Sequence, residues 1–193
     1  LPSARGQGEP LTGKLTLPPG ATVEHMLMEG DEQKLLMASN AGYGFVCTFN
    51  DLVARNRAGM TLITLPENAR VMPPVVIEDE TDMLLAITQA GRMLMFPVSD
   101  LPQLSKGKGN KIINIPSAEA ARGDDALALL YVLPPQSTLT IHVGKRKIKL
   151  RPEELQKVTG ERGRRGTLMR GLQRIDRIDI DSPRRAGSGD SEE

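Results

Sequence analysis

Three stretches of this 193-residue chain set glycine among closely spaced cations: Arg55-Asn56-Arg57-Ala58-Gly59, Lys106-Gly107-Lys108-Gly109-Asn110-Lys111 and Arg162-Gly163-Arg164-Arg165-Gly166. A fourth, Lys145-Arg146-Lys147-Ile148-Lys149, crowds four cations into five residues. The chemistry such groups do is capture of a polyanion: the side chains neutralise phosphate, and glycine lets backbone N–H groups approach it. A formal net charge of +1 hides how concentrated the charge is. Leu139 to Arg174 holds 11 basic residues against three acidic ones, whereas the rest of the chain holds 14 basic and 21 acidic. Lysine and arginine also solubilise exposed strands, but their recurrence at one slot of successive units favours a binding role. The leading candidates are Lys145, Arg146, Lys147, Lys149, Arg162, Arg164, Arg165 and Arg170. Lys106, Lys108, Lys111, Arg55 and Arg57 come second, because their units carry more acidic charge. Neutralising roughly six phosphates would make log K fall with log salt at a slope near −5.

Other chemistries find little to work with. Tyr43 and Tyr131 sit in apolar runs and read as packing residues, so no catalytic residue is assigned. Asp79, Glu80 and Asp82 lack calcium-loop spacing and read as a solvated turn. His25 and His142 have no ligand partner at metal spacing, and the single Cys47 can form no internal disulfide, so no metal site is assigned and the compartment reads as reducing. Aromatic residues make up 3% of the chain with no Trp, which disfavours a platform that stacks single-stranded bases. No recognition helix is evident, so direct base readout is not expected. No apolar stretch reaches 18 residues and the first residues lack an apolar signal core, which reads as cytosolic. Beginning without Met and in mid-repeat, the chain is expected to be a piece of a longer polypeptide.

The elements that must carry these cations repeat. Leu35-Leu36-Met37-Ala38-Ser39-Asn40-Ala41-Gly42 is echoed 49 residues later by Leu84-Leu85-Ala86-Ile87-Thr88-Gln89-Ala90-Gly91, and more faintly by Leu139-Thr140-Ile141-His142-Val143-Gly144. Each glycine is followed by a second apolar run, then by an acidic-Leu pair (Asp51-Leu52, Asp100-Leu101, Glu154-Leu155), then by a basic loop and a short apolar strand (61–65, 111–115, 167–172). Runs of this length, rich in Leu, Ile, Val and Met and bounded by turn residues, predict strands, with Gly42, Gly91 and Gly144 as hairpin centres. Pairing across Gly144-Lys145 predicts a dry face of Leu139, Ile141, Val143, Ile148 and Leu150, and an opposite face carrying Thr140, His142, Lys147, Lys149 and Arg151. Short helical turns are predicted at 118–122 and 152–157. The nine methionines are expected mostly to fill gaps in the sheets' cores. The fold class is therefore all-β: a propeller-like array of four-stranded blades, about three of them complete. A blade remnant spans about 1–30, units span about 31–78, 79–125 and 126–180, and 181–193 forms a flexible polar tail.

The runs 42–52 (Gly-Tyr-Gly-Phe-Val-Cys-Thr-Phe-Asn-Asp-Leu), 90–101 (Ala-Gly-Arg-Met-Leu-Met-Phe-Pro-Val-Ser-Asp-Leu), 105–111 and 144–150 closely resemble the C-terminal domain of the A-subunits of bacterial DNA topoisomerase IV, paralogues of those of gyrase. The resemblance extends along essentially the whole chain. It implies a β-pinwheel of Greek-key blades that exchange strands, whose basic rim binds and bends duplex DNA for decatenation and relaxation in chromosome segregation. It also implies that the chain is no enzyme alone, its parent being an ATP-dependent type IIA topoisomerase. Mg2+ would sit in the parent's cleavage core and ATP on the separate ATPase subunit, with no cofactor in this fragment. The implied partners are duplex DNA, the parent's own topoisomerase IV core, the ATPase subunit in a heterotetramer of two of each, and another chromosome-organising protein. The implied place is the bacterial cytoplasm, at the nucleoid. Neither Ser105-Lys106-Gly107-Lys108-Gly109-Asn110-Lys111 nor Glu161-Arg162-Gly163-Arg164-Arg165-Gly166 copies the glutamine-led box of gyrase, which favours topoisomerase IV. A rival reading stays open, a protein-interaction module that docks an acidic partner or the enzyme's own core.

Overall fold

The computed structural model describes residues 17–56, 59–172 and 174–183. In chain order its elements are β1 (Lys34–Ser39), β2 (Tyr43–Thr48), β3 (Val75–Ile77), β4 (Met83–Thr88), β5 (Arg92–Pro97), β6 (Asn110–Lys111), α1 (Ser117–Arg122), β7 (Leu127–Leu133), β8 (Thr138–Val143), β9 (Arg146–Leu150), α2 (Pro152–Gln156), β10 (Thr167–Leu168) and β11 (Arg177–Asp181). The three expected hairpins are β1–β2, β4–β5 and β8–β9, turning at Gly42, Gly91 and Gly144 with φ of 82°, 84° and 58°. In the last, Leu139 lies opposite Leu150 and Ile141 opposite Ile148, while Lys147 and Lys149 are exposed, which is the anticipated division into dry and charged faces.

Three sheets result, ordered β3-β1-β2-β6, β10-β5-β4-β7 and β11-β8-β9. In each, a later strand returns to lie beside the first strand of the hairpin, as in a Greek key. The outermost strands beside β2 and β5 come from the following unit, so the sheets cut across the linear units: β6 completes the first sheet, and β7 and β10 complete the second. Among the described residues β9 has no such strand. Successive strand residues point to opposite faces; both faces of the first two sheets are covered, whereas the third keeps a charged face with Lys147 and Lys149 exposed. Leu36, Ala38 and Val46 pack with Leu84, Ala86, Leu94 and Phe96 between the first two sheets. Leu85, Ile87, Met93 and Met95 meet Leu139, Ile141 and Leu150 between the second and third. Leu35, Met37, Phe45 and Cys47 form the far face of the first sheet, under Leu27, Leu62 and Ile63. Burial on both faces is why β1, β2, β4 and β5 read as unbroken apolar runs, while β8 and β9, covered on one face, alternate.

Two of the three recurring acidic-Leu pairs cap their turns through the carboxylate. Asp51 accepts hydrogen bonds from the backbone N–H and hydroxyl of Thr48 at 2.9 Å each, and Glu154 accepts from Arg151 N–H at 2.6 Å. Leu101 and Leu155 are buried beneath their turns. Asp79 caps its own turn through Thr81, and Glu80 pairs with Lys34. Met37, Met93 and Met95 are core residues, whereas Met26, Met28 and Met60 are exposed. Of the segment 61–65 only Ile63 forms a bridge; 111–115 is strand only at Lys111 and 167–172 only at Thr167–Leu168, before Ile112, Ile113, Ile115 and Leu172 turn into the cores between sheets. Asp181 belongs to β11, while the remnant at 1–16 and the tail at 184–193 lie outside the described residues.

Cys47 is fully buried, and burial first, then the Asp51 charge, pushes its thiol up to about 11. Its unfolded value is about 8.5, so the fold favours the neutral thiol. The stabilisation is whole below about pH 8.5 and is lost as pH rises through the folded value, at most on the order of 3 kcal/mol. Urea unfolding of the chain should weaken between pH 9 and 11, and Cys47→Ala should remove that part of the pH dependence; identical profiles would contradict it.

Candidate nucleic-acid interface

The basic loops are joined to one another by backbone hydrogen bonds. After its turn at 98–100, the chain runs beside β2, where Val46 N–H donates to Pro102 O and Leu104 N–H to Val46 O, before doubling back as β6. The same path recurs beside β5, where Met95 N–H donates to Val158 O and Gly160 N–H to Met95 O, before β10. This route carries the 105–111 and 161–166 loops along the edges of consecutive sheets. The loop bearing Arg55 returns through Leu62 and Thr64, which bond to Gly107 in both directions at 2.9 and 3.0 Å. Gly163 N–H donates to Ile112 O and Asn114 N–H to Arg164 O, both at 2.9 Å, and Arg162 Nη1 donates to Lys111 O at 2.8 Å. Met169 N–H donates to Gly91 O, and the Arg146 guanidinium lies beside Gly171. A series therefore runs from the Arg55 loop through Lys106, Lys108 and Lys111, then Arg162, Arg164 and Arg165, to Arg170 and Arg146; Lys145, Lys147 and Lys149 follow on the same hairpin as Arg146, Lys147 and Lys149 on the opposite face of its sheet. Arg57 lies outside the described residues.

The cations differ in how free they are. Lys106, Arg170, Lys145, Arg146, Lys147 and Lys149 are exposed. Lys108 Nζ stands 4.0 Å from the centre of the Tyr43 ring, and Lys111 donates to Asn114 Oδ1 at 2.9 Å. Arg164 pairs with Glu161 and Arg165 with Glu119. The Arg164–Glu161 side chains are 73% and 76% exposed, so solvent screens that attraction and the pair is weak. His142 sits between β9 and β11, its Nε2 2.7 Å from Asp179 Oδ2. That hydrogen bond, followed by the neighbouring Arg177 charge, holds the Asp179 carboxyl below its usual range.

Two of the glycines serve the track differently from the sequence expectation. Gly109 and Gly166 precede β6 and β10 with φ of 75° and 73°. A Cβ on Gly109 would overlap the Gly44 carbonyl, and one on Gly166 would lie 2.6 Å from Met93 O. They let the exchanged strand press against its host, whatever contact other glycines make with phosphate. One basic residue was missed: Arg92 Nη1 donates to Gly166 O at 3.2 Å. Its signal was available in its place after the hairpin glycine, the slot from which Tyr43 meets Lys108 in the preceding hairpin. Among the described residues no group of three or more His, Cys, Asp or Glu could hold a metal ion, and no helix is long and apolar enough to cross a membrane.

The chain resembles known proteins throughout. A family model for the DNA gyrase C-terminal domain, a β-propeller, matches residues 33–78 and 82–126. The DNA topoisomerase 4 A-subunit of Escherichia coli (strain K12) is 92% identical over 193 residues, which is all of this chain and 26% of that protein. The Haemophilus influenzae protein of the same name is 59% identical over 173 residues, 89% of this chain and 23% of its own length. The chain thus spans about a quarter of the curated relatives it matches. The solved C-terminal domain of E. coli ParC superposes with a TM-score of 0.90 at 92% identity, covering 94% of this chain and 74% of that one. A solved DNA gyrase A C-terminal domain, 13% identical, matches with a TM-score of 0.66 over 91% of this chain and 59% of its own, a likeness of fold.

Proposed function

The chain belongs to the family of DNA topoisomerase IV ParC C-terminal domains, and on that premise we propose that it captures and bends duplex DNA for a type IIA topoisomerase. The observation that supports this most is the hydrogen-bonded succession of basic loops, which sets cations from successive units side by side. Phosphate contacts of this kind are indifferent to base sequence and strongly salt-dependent. A track carried over successive sheets turns with them, so a duplex that follows it is bent, and sequences that deform easily bind better. The chain supplies no bond-breaking chemistry in this reading. Cleavage with Mg2+ belongs to the core of the parent polypeptide and ATP hydrolysis to the separate ATPase subunit, in an assembly of two of each. The chain presents the transported segment for decatenation and relaxation, in the bacterial cytoplasm at the nucleoid. Another chromosome-organising protein with an acidic surface would compete for the same cations.

Gel-shift titration of the chain with linear and supercoiled duplex at two salt concentrations tests the reading. Salt-dependent binding with a log–log slope of about −5, independent of base sequence, is expected. Absent binding, or affinity that ignores salt, would overturn it.

A further inference from the structure

Within the basic track just assigned to duplex DNA, on which this inference rests, the two central loops hold their cations in different ways. In 105–111 the partners are neutral, the Tyr43 ring for Lys108 and the Asn114 amide for Lys111. In 161–166 Arg162 donates to the Lys111 carbonyl, but Arg164 and Arg165 are held by carboxylates. Arg165 Nη2 donates to both oxygens of Glu119, at 2.7 and 2.9 Å, and Arg164 donates through Nε and Nη2 to Glu161 Oε2, at 2.8 and 2.5 Å. A guanidinium fork donates to carboxylate and phosphate oxygens alike. We propose that Glu119 and Glu161 are intramolecular stand-ins for phosphate, which hold the two arginine forks ready and compete with the duplex for them.

Three observations carry this. The carboxylates come from different elements, Glu161 from the loop itself and Glu119 from α1, 46 residues before its arginine. The arginines remain reachable, Arg164 at 73% and Arg165 at 40% side-chain exposure, so a phosphate can replace the carboxylate without the fold opening. The loop backbone is pinned independently, by Gly163 N–H to Ile112 O and Asn114 N–H to Arg164 O, so releasing a side chain does not release the loop. The lysines gain a phosphate outright, whereas Arg164 and Arg165 each give up an anion to take one. The track therefore binds less tightly, and with a shallower salt dependence, than its count of cations implies.

Glutamine keeps the shape of glutamate and removes its charge. Glu119→Gln, Glu161→Gln and the double variant, with Glu153→Gln as a control for net charge outside both pairs, should be titrated with linear duplex over a range of salt and melted in parallel. Each of the first two is expected to bind roughly two- to five-fold tighter at low salt and to steepen the log–log slope by about one, with the double variant combining the two. Variants that bind no tighter than Glu153→Gln, beside an unsubstituted chain that binds normally, would overturn this proposal alone. Lower melting temperatures with weaker binding would mark the pairs as structural and also overturn it. No binding by the unsubstituted chain would overturn the duplex reading and this proposal together.

Discussion

Replacing Lys106, Lys108, Lys145, Lys147 and Lys149 together by alanine is expected to weaken duplex binding roughly a thousand-fold at low salt and to flatten the log–log salt slope by about four. These lysines are exposed, and among the described residues their side chains make no hydrogen bond or ion pair; Lys108 lies over the Tyr43 ring. Their removal should leave the melting temperature nearly unchanged, which separates lost phosphate contacts from lost structure. The arginines are less clean tools, because Arg162 ties Lys111 O and Arg92 ties Gly166 O. Unchanged affinity and slope in the five-fold variant, measured by fluorescence anisotropy, would remove the track as the site of binding.

Gly109→Ala should cost roughly 2–4 kcal/mol of stability, from a side chain at positive φ and from overlap with the Gly44 carbonyl that only backbone movement relieves. For a chain of this size that lowers the melting temperature by about 5–15 °C. The consequence reaches further than stability. β6 is held by two residue pairs, Tyr43 with Lys111 and Gly44 with Asn110, so moving it shifts the loop before it and the Ile112 and Ile113 side chains after it. DNA binding should fall along with the melting temperature. Gly59→Ala, at similar φ but in open space, should cost less than half as much. Equal effects at the two positions in thermal melts would contradict the close-approach explanation.

Much of the fold could be read from residue types because its hairpins are local: Gly42, Gly91 and Gly144 need positive φ, and apolar runs on either side of each glycine can hardly pair elsewhere. Strand exchange was not written in the same way. β6 is Asn110-Lys111 and β10 is Thr167-Leu168, two residues each and mostly polar, and they join partners far earlier in the chain, at Tyr43 and Arg92, only through backbone geometry. The family resemblance, not periodicity, anticipated it. The basic loops were legible as a recurring slot, and the structure sets them next to each other. Their counter-charges were not, since Glu119 and Arg165 are 46 residues apart and only folding brings them together. The acidic-Leu pairs were visible as a repeat, but what they do, capping the turn through Asp51 and Glu154 and burying Leu101 and Leu155, is a matter of hydrogen bonds and packing that composition does not express.

Lysine modification with and without bound duplex, read by mass spectrometry, tests most directly whether the loops act as one surface. Protection of Lys106, Lys108, Lys111, Lys145, Lys147 and Lys149 together is expected, with Lys34, paired to Glu80, unaffected. Protection confined to a single loop, or equal at Lys34, would contradict a continuous track.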